Sequence, residues 1–472
     1  MIEEYAPSFP IYVTGPVWAA ILVWVLICAS RLGDASSAFL LLATWFRYCI
    51  ATFHEYTYPP FLFGFSLIAL TSIVIIMLGF VVVGTRALHL RLLAPLYGMV
   101  GIVLLSTMAN QTWLGGMNAA FKWLFLIVFA LAAYRAMRHH GSERIFGAIA
   151  GIFAGPIVLQ WISVPWGLKT TTSDGLSFFI GGYQHQQGLS IILLTFLVVT
   201  CLSTQLGAIF TFYRVVIVAV GLVMANYRTA LVAAGLPAAS LVISRLVNKV
   251  ILSQRVIAFL LACVVAVFAL AAVAVPQRER FVDLGAMVDK GTSLIKPSRY
   301  FTPDDRRLLS SRLYLWSQYI ESYLDGDARN IVVGFGPEAW VGNFTTYAHN
   351  TFISYLFELG LFGVAGLCWL FAWNLSLAIR VNRERRLILV SCHVAFVVLN
   401  LSTMALWTLE GAMLYGLILG YTWYVRSVDR SRLDSAGRSF NLPLGRVVRA
   451  ELEFSNKGNN HLDRRSRLEL ER

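Results

Sequence analysis

The chain predicts an all-α polytopic integral membrane protein of about 12–13 transmembrane helices, with one large outer loop that contains an amphipathic helix. Three observations lead there. Of the 472 residues 58% are hydrophobic and only 13% charged, and the mean hydropathy is +0.68, too apolar for an ordinary soluble fold. Apolar segments of spanning or near-spanning length recur along the chain. The basic residues gather in alternate loops between those segments.

Taken in order, the apolar segments fall near residues 15–30, 36–53, 61–83, 90–108, 118–136, 144–163, 187–203, 206–223, 228–244, 255–275, 351–379, 387–404 and 409–425. The first two are short enough to be re-entrant. The N-terminus, MIEEYAPSFP, is acidic and lacks the basic region and cleavage site of a secretory signal, so the first span is expected to be retained. Arg31, then Arg86 and Arg91, then Arg135, Arg138 and Arg144, then Arg245, Lys249 and Arg255, then Arg380, Arg383, Arg385 and Arg386 occupy alternate loops. By the positive-inside rule those loops are cytoplasmic, and the short loops opposite hold only Lys169 and Arg228. The N-terminus is then outside and the C-terminus inside. The organisation expected is a transmembrane bundle over 1–275, an outer loop over 276–348, C-terminal transmembrane helices over 349–425 and a basic, largely disordered cytoplasmic tail over 426–472.

Within the outer loop, Thr302-Pro303-Asp304-Asp305 supplies an N-cap, a first-turn proline and acidic residues, which predicts a helix from there to about Leu324. Leu309, Leu313, Trp316, Ile320 and Tyr323 recur at helical spacing and predict its apolar face, and Gly326 can end it. GFGP at 334–337 reads as a turn.

The net charge of +13 fits the loop pattern, and with no basic soluble domain carrying interleaved aromatics it does not point to nucleic acid. Cys28, Cys49, Cys201, Cys263, Cys368 and Cys392 all lie in apolar runs and read as small core residues, neither a disulfide framework nor a metal site. Asp325-Gly326-Asp327 has the spacing by which nucleotide-sugar transferases hold a divalent metal, but Asp and Gly after a helix make turns. No metal or other cofactor is expected.

The candidate site centres on YAHNTFISYLFELGLFGVAG, residues 347–366. Asn350 is a preferred N-cap for the helix that follows, which leaves His349 just outside its positive end, where a neutral imidazole is favoured and anions are attracted. On the predicted topology Arg47 and Lys122 lie near outer helix ends, Arg228 begins a helix at the outer face, Lys169 lies in an outer loop and Arg214 is deeper. Such cations without a matching set of acids suit an anionic ligand at the membrane surface, with snorkelling to lipid headgroups as the plain alternative. His54 and His185 read as ordinary loop residues. Glu358 lies about 13 Å down the helix from His349, so it reads as a buried structural or network acid, and Glu410 as a partner for an arginine.

Several of these residues resemble the O-antigen ligase and polysaccharide polymerase family of bacterial membrane glycosyltransferases. The resemblance is carried by His349-Asn350 followed by Glu358, Gly360 and Gly363, by Arg312 and Trp316 in SRLYLW, by the Gly334-Phe335-Gly336 turn, and by Arg228-Thr229. Tyr227 stands where the family usually has Ser. The likeness runs from the glutamine-rich loop near His185 onward. It implies a metal-independent, inverting transfer of a glycan from an undecaprenyl-diphosphate-linked oligosaccharide donor to an acceptor hydroxyl at the periplasmic face of the bacterial inner membrane. It implies a periplasmic 276–348 loop, His349 as base or acceptor-orienting residue, Arg228 as diphosphate clamp, and Arg312 and Arg214 as secondary clamps. Lys122, Arg47 and Lys169 complete the basic set, with Asn350 and Glu358 as structural support. The acceptor is a lipid-linked repeat in a polymerase of exopolysaccharide or O-antigen, a lipid A core in a ligase, or a protein hydroxyl. Membrane lipids and other polysaccharide-assembly proteins are the remaining partners. A lipid-linked glycan flippase is the rival of another class, but it leads one to expect inverted repeats and mid-membrane polar groups, neither of which is clear here.

Overall fold

The computed structural model describes residues 6–62, 64–171, 177–249, 296–307 and 311–440. The chain divides into two compact units, Met1–Tyr424 and Val425–Arg472. Helices of six or more residues are numbered here in chain order: α1 (Ile11–Leu32), α2 (Ala35–Ile50), α3 (Leu67–Val83), α4 (Ala94–Asn110), α5 (Trp113–His140), α6 (Ser142–Ala150), α7 (Ala154–Ser163), α8 (Gln186–Leu202), α9 (Ala208–Met224), α10 (Arg228–Lys249), α11 (Arg312–Leu324), α12 (Ala328–Val333), α13 (Thr351–Ile379), α14 (Arg383–Ser402) and α15 (Leu409–Phe440). Among the described residues strand is confined to two small antiparallel hairpins, Pro60–Leu62 with Phe65–Ser66 and Thr170–Thr171 with Ser177–Phe178.

The protein is an all-α, multi-pass membrane protein. Among the described residues seven helical stretches are long and apolar enough to cross a bilayer, including Ile11–Leu32, Ala35–Thr57 and Thr351–Ile379, and α3, α8 and α9 are shorter apolar helices. The first two expected segments are therefore full helices. α10 and the first part of α15 fall where two more spans are expected, and the expected 255–275 span lies outside the described residues. The segment 426–440, expected to be disordered, is helical as the end of α15. Between Tyr424 and Ala436 there is no Gly or Pro, so each further residue adds a backbone hydrogen bond without a breaker.

α5, α8 and α15 up to Tyr424 form the interior. From Phe125 to Ala133 every residue of α5 is buried, as is every residue from Leu189 to Leu202 in α8. A helix apolar all round is stable either packed in protein on every side, as here, or facing lipid. By contrast α3 turns Val74, Met77, Leu78 and Val81 outward, an apolar face of the kind that meets lipid.

The helix expected over 302–324 is interrupted. Thr302 and Asp305 do form the reciprocal cap, with Asp305 N–H donating to Thr302 Oγ1 and Thr302 N–H to Asp305 Oδ2, but the helix they start is Pro303–Arg307. Residues 308–310, Leu309 among them, lie outside the description, and Ser311 takes a left-handed φ of 64°, which no continuous α-helix accommodates. α11 also buries a different stripe from the one predicted: Leu315, Tyr319 and Tyr323 enter a core with Ala348 and Phe357, while Ile320 is exposed. The tyrosines can be buried because their hydroxyls find carbonyls, Tyr319 at Thr346 and Tyr323 at Ile331.

α13 is broken at Gly360, whose φ of 66° and ψ of −159° are not helical. The break frees carbonyls that membrane surroundings cannot hydrate. They are taken by the Gly334-Phe335-Gly336 turn: Phe335 N–H donates to Phe357 O at 2.9 Å and Gly336 N–H to Glu358 O at 3.0 Å. Ser106 of α4 gives a second hydrogen bond to Glu358 O. The approach is too close for side chains. A Cβ on Gly360 would meet the Val332 carbonyl carbon at 2.5 Å, and one on Gly334 would meet Glu358 backbone at 2.3 Å.

Gly360→Ala is therefore expected to destabilise the protein by about 2–5 kcal/mol, from left-handed strain plus overpacking. Gly334→Ala should cost a similar amount, with the double variant well short of additive because both clash at one contact. Thermal unfolding in detergent measures this; additive or negligible losses would break the account.

Candidate functional site

His349 is held from both sides. Ahead of it, Ala348 is fully buried and its carbonyl accepts a 2.7 Å hydrogen bond from Trp316 Nε1. Behind it, Asn350 Oδ1 accepts from Phe352 N and Ile353 N and caps α13. Thr351 Oγ1 donates to Asn400 Oδ1 at 2.7 Å, which ties this cap to the end of α14. Between these anchors His349 adopts a φ of 51°, a conformation unusual outside glycine and one that costs about 1–3 kcal/mol unless the surroundings enforce it. The Tyr347 ring lies against the imidazole, centroids 4.1 Å apart.

Trp316 sits one turn after Arg312 on α11, so the same helix that pins Ala348 presents a guanidinium to His349. Burial, Arg312 and His185 together push the His349 pKa down to about 4. That direction favours a neutral ring near pH 7, with burial as the first cause and Arg312 and His185 as the next.

His185 belongs to this surface, which its loop setting did not reveal. It caps α8, its Nδ1 accepting from Gln187 N at 3.1 Å, so the proton of the neutral ring sits on Nε2. Its side chain is reached by solvent, yet the surrounding protein lowers its pKa. Tyr227 arrives beside Tyr347, Arg312 and Thr403, and burial raises the pKa of both tyrosines. Arg228, the next residue, opens α10, and Thr229 meets Ser402 Oγ at 3.0 Å. Three helix starts, at His185, Arg228 and Asn350, thus lie near His349 and Arg312. Each start carries about half a positive charge, an arrangement suited to an anion.

The other cations lie elsewhere. Arg47 is buried and pairs with Glu410 at 2.8 Å, and Lys122 lies 3.8 Å from Glu338 and 3.7 Å over the Trp407 ring. The expectation of outer cations without matching acids is corrected at these two positions: the acids come from distant parts of the chain. Glu338 also accepts from Asn118, and its own N–H donates to Glu358 Oε2 at 2.8 Å. Ser354 Oγ donates to Glu358 Oε1 at 2.6 Å, so Glu358 ties the 334–338 turn to α13 and has no direct part at His349. Arg214 lies 5.5 Å over Phe196 of α8, and Lys169 is exposed beside the second hairpin. Asp327 caps α12 through Asn330 N, the turn role expected for the Asp-Gly-Asp run. Among the described residues no group of three His, Cys, Asp or Glu is placed to hold a metal ion.

Residues 213–368 match the family model described as O-antigen ligase, which supports that family for this chain. The match begins inside α9 and ends in α13. It contains Arg214, Arg228, Arg312, His349 and Glu358, and leaves out His185, Arg47, Lys122 and Lys169. No curated protein matches the chain.

In the ligand-free protein, histidine NMR should report His349 titrating near 4, and Arg312→Gln should move that midpoint up toward the ordinary value near 6.5 without reaching it, since burial is the larger cause. An unmoved midpoint would detach Arg312 from the ring. The unfolded chain takes up this proton first, so the stability His349 contributes is complete above about pH 6.5 and is lost as the pH falls toward 4.

Proposed function

With the O-antigen ligase family as premise, we propose that the protein is a glycosyltransferase of the bacterial inner membrane, working at the periplasmic face. It transfers a glycan from an undecaprenyl-diphosphate carrier to an acceptor hydroxyl. The acceptor we favour is a further lipid-linked repeat, which makes the protein a polymerase of exopolysaccharide or O-antigen. The observation that carries the reading is a neutral His349 beside Arg312, with three helix starts nearby.

The acceptor oxygen attacks the anomeric carbon as the carbon–oxygen bond to the diphosphate breaks, and configuration at that carbon inverts. His349 orients the hydroxyl and takes its proton, a contribution of about 10²–10⁴-fold. The departing diphosphate gains negative charge, which Arg228, Arg312 and the helix starts stabilise most where water is scarce. A base of pKa about 4 is weak in the free protein. Bound diphosphate changes that, because its charge offsets Arg312 and favours the protonated ring, raising the pKa toward the range where a base is effective at neutral pH. Donor binding and base strength are then linked. The glycosidic step needs no metal in this scheme.

Purified protein given lipid-linked oligosaccharide should form polymer, and with lipid A core added it should not divert the glycan into conjugate. Conjugate formation would make it a ligase, and movement of lipid between leaflets without a new glycosidic bond would sink the enzyme reading. His349→Ala should abolish transfer while the protein still inserts, and Arg312→Gln should lower kcat/KM at least tenfold. EDTA should leave turnover unchanged; a strong loss would return Asp325 and Asp327 to consideration.

A further inference from the structure

A cavity of about 300 Å³ lies between α2, α3, α5 and the start of α15, apart from the His349 surface. One wall is a helical stripe of α3, from Phe65 just before it through Ile68, Ala69, Ser72 and Ile73 to Ile76, at spacings of i, i+3, i+4, i+7, i+8 and i+11. Its helical part, from Ile68 to Ile76, runs about 12 Å along α3. The neighbouring face of α3, with Val74 and Met77, is exposed and apolar. The polar part of the lining holds Arg47, Lys122 and Glu410.

Arg47 is 6% exposed, and Glu410 engages one of its terminal nitrogens. Tyr58, which also lines the cavity, hydrogen-bonds the Arg47 side chain, while Nε and Nη1 remain short of close partners. A guanidinium has five N–H donors, which one carboxylate and one phenol do not all answer, so a partner with further acceptor oxygens is favoured there. Lys122 lies 3.8 Å from Glu338, longer than a hydrogen-bonded ion pair, and so keeps donor capacity toward the cavity. The two carboxylates already present would repel a highly charged ligand. A single phosphate charge suits the donors better.

We propose that this cavity holds one anionic glycerophospholipid of the bilayer, its phosphodiester oxygens on Arg47 and Lys122 and one acyl chain along the Phe65–Ile76 stripe of α3. The lipid is a resident ligand, independent of the glycan-transfer chemistry at His349. It completes the hydrogen bonding of a buried guanidinium and fills the slot that α3 leaves beside α2 and α5.

The test is native mass spectrometry of the protein released from nanodiscs containing equal phosphatidylglycerol and phosphatidylcholine. The wild-type chain should retain one phosphatidylglycerol with at least tenfold preference, and millimolar inorganic phosphate should not displace it. The double variant Arg47→Gln/Glu410→Gln removes both buried charges together, leaving neither stranded, and should lose the preference. Ile73→Trp, which keeps the charges and blocks the slot, should also expel the lipid, and it serves if the double variant does not fold. Equal retention of the two lipids, retention unchanged in the folded variants, or displacement by inorganic phosphate would each overturn the proposal.

Discussion

The break in α13 at Gly360 is the constraint on which the rest of the molecule depends. In a hydrocarbon surrounding, backbone carbonyls released by a broken helix must be answered by protein. Here the amides of Phe335 and Gly336 answer them, and only glycine at 334 and 360 lets the two backbones meet. That contact fixes where the 334–338 turn lies. Glu338 thereby reaches Lys122 and Asn118, and Glu358 receives the Glu338 amide. The chain then runs from this turn to Trp340, Phe344 and Tyr347, and α11 closes over it through Leu315, Tyr319 and the Trp316–Ala348 hydrogen bond.

The His349 surface follows from these anchors. A histidine in a left-handed conformation, with a tyrosine against its ring and an arginine nearby, is held by its neighbours on both sides more than by its own preferences. Its charge state reflects a balance: protein around the ring and the Arg312 charge favour neutrality, and an anionic ligand would favour the proton. The same arrangement of helix starts that attracts an anion therefore tunes the base beside it.

Much of the fold was legible because hydropathy and loop charge act over whole segments, and the described helices follow the expected spans closely. Asn350 and His349 were legible because a cap and its preceding residue form a local pattern. The face of α11 was not. Leu313, Trp316, Ile320 and Tyr323 compete with Leu315, Tyr319 and Tyr323 at equally helical spacing, and the winning stripe uses tyrosines whose value depends on carbonyls supplied by another segment. Gly360 gave no sign of a break, since glycine inside an apolar helix is common in membranes. The pairing of Lys122 with Glu338, and the arrival of His185 and Tyr227 beside the site, depend on contacts between residues far apart in sequence, which periodicity cannot register. Tyr227 did leave one signal: it replaces the serine usual before that arginine.

The Arg47–Glu410 pair joins α2 to the first turn of α15. A chain inserted from its N-terminus must therefore carry Arg47 in the bilayer, without this partner, through the insertion of the spans between them. Until α15 arrives, α2 is a marginal guest of the membrane, able to tilt or let its arginine climb to the surface. The ion pair then acts as a late lock on assembly: α2 settles only once α15 has joined it.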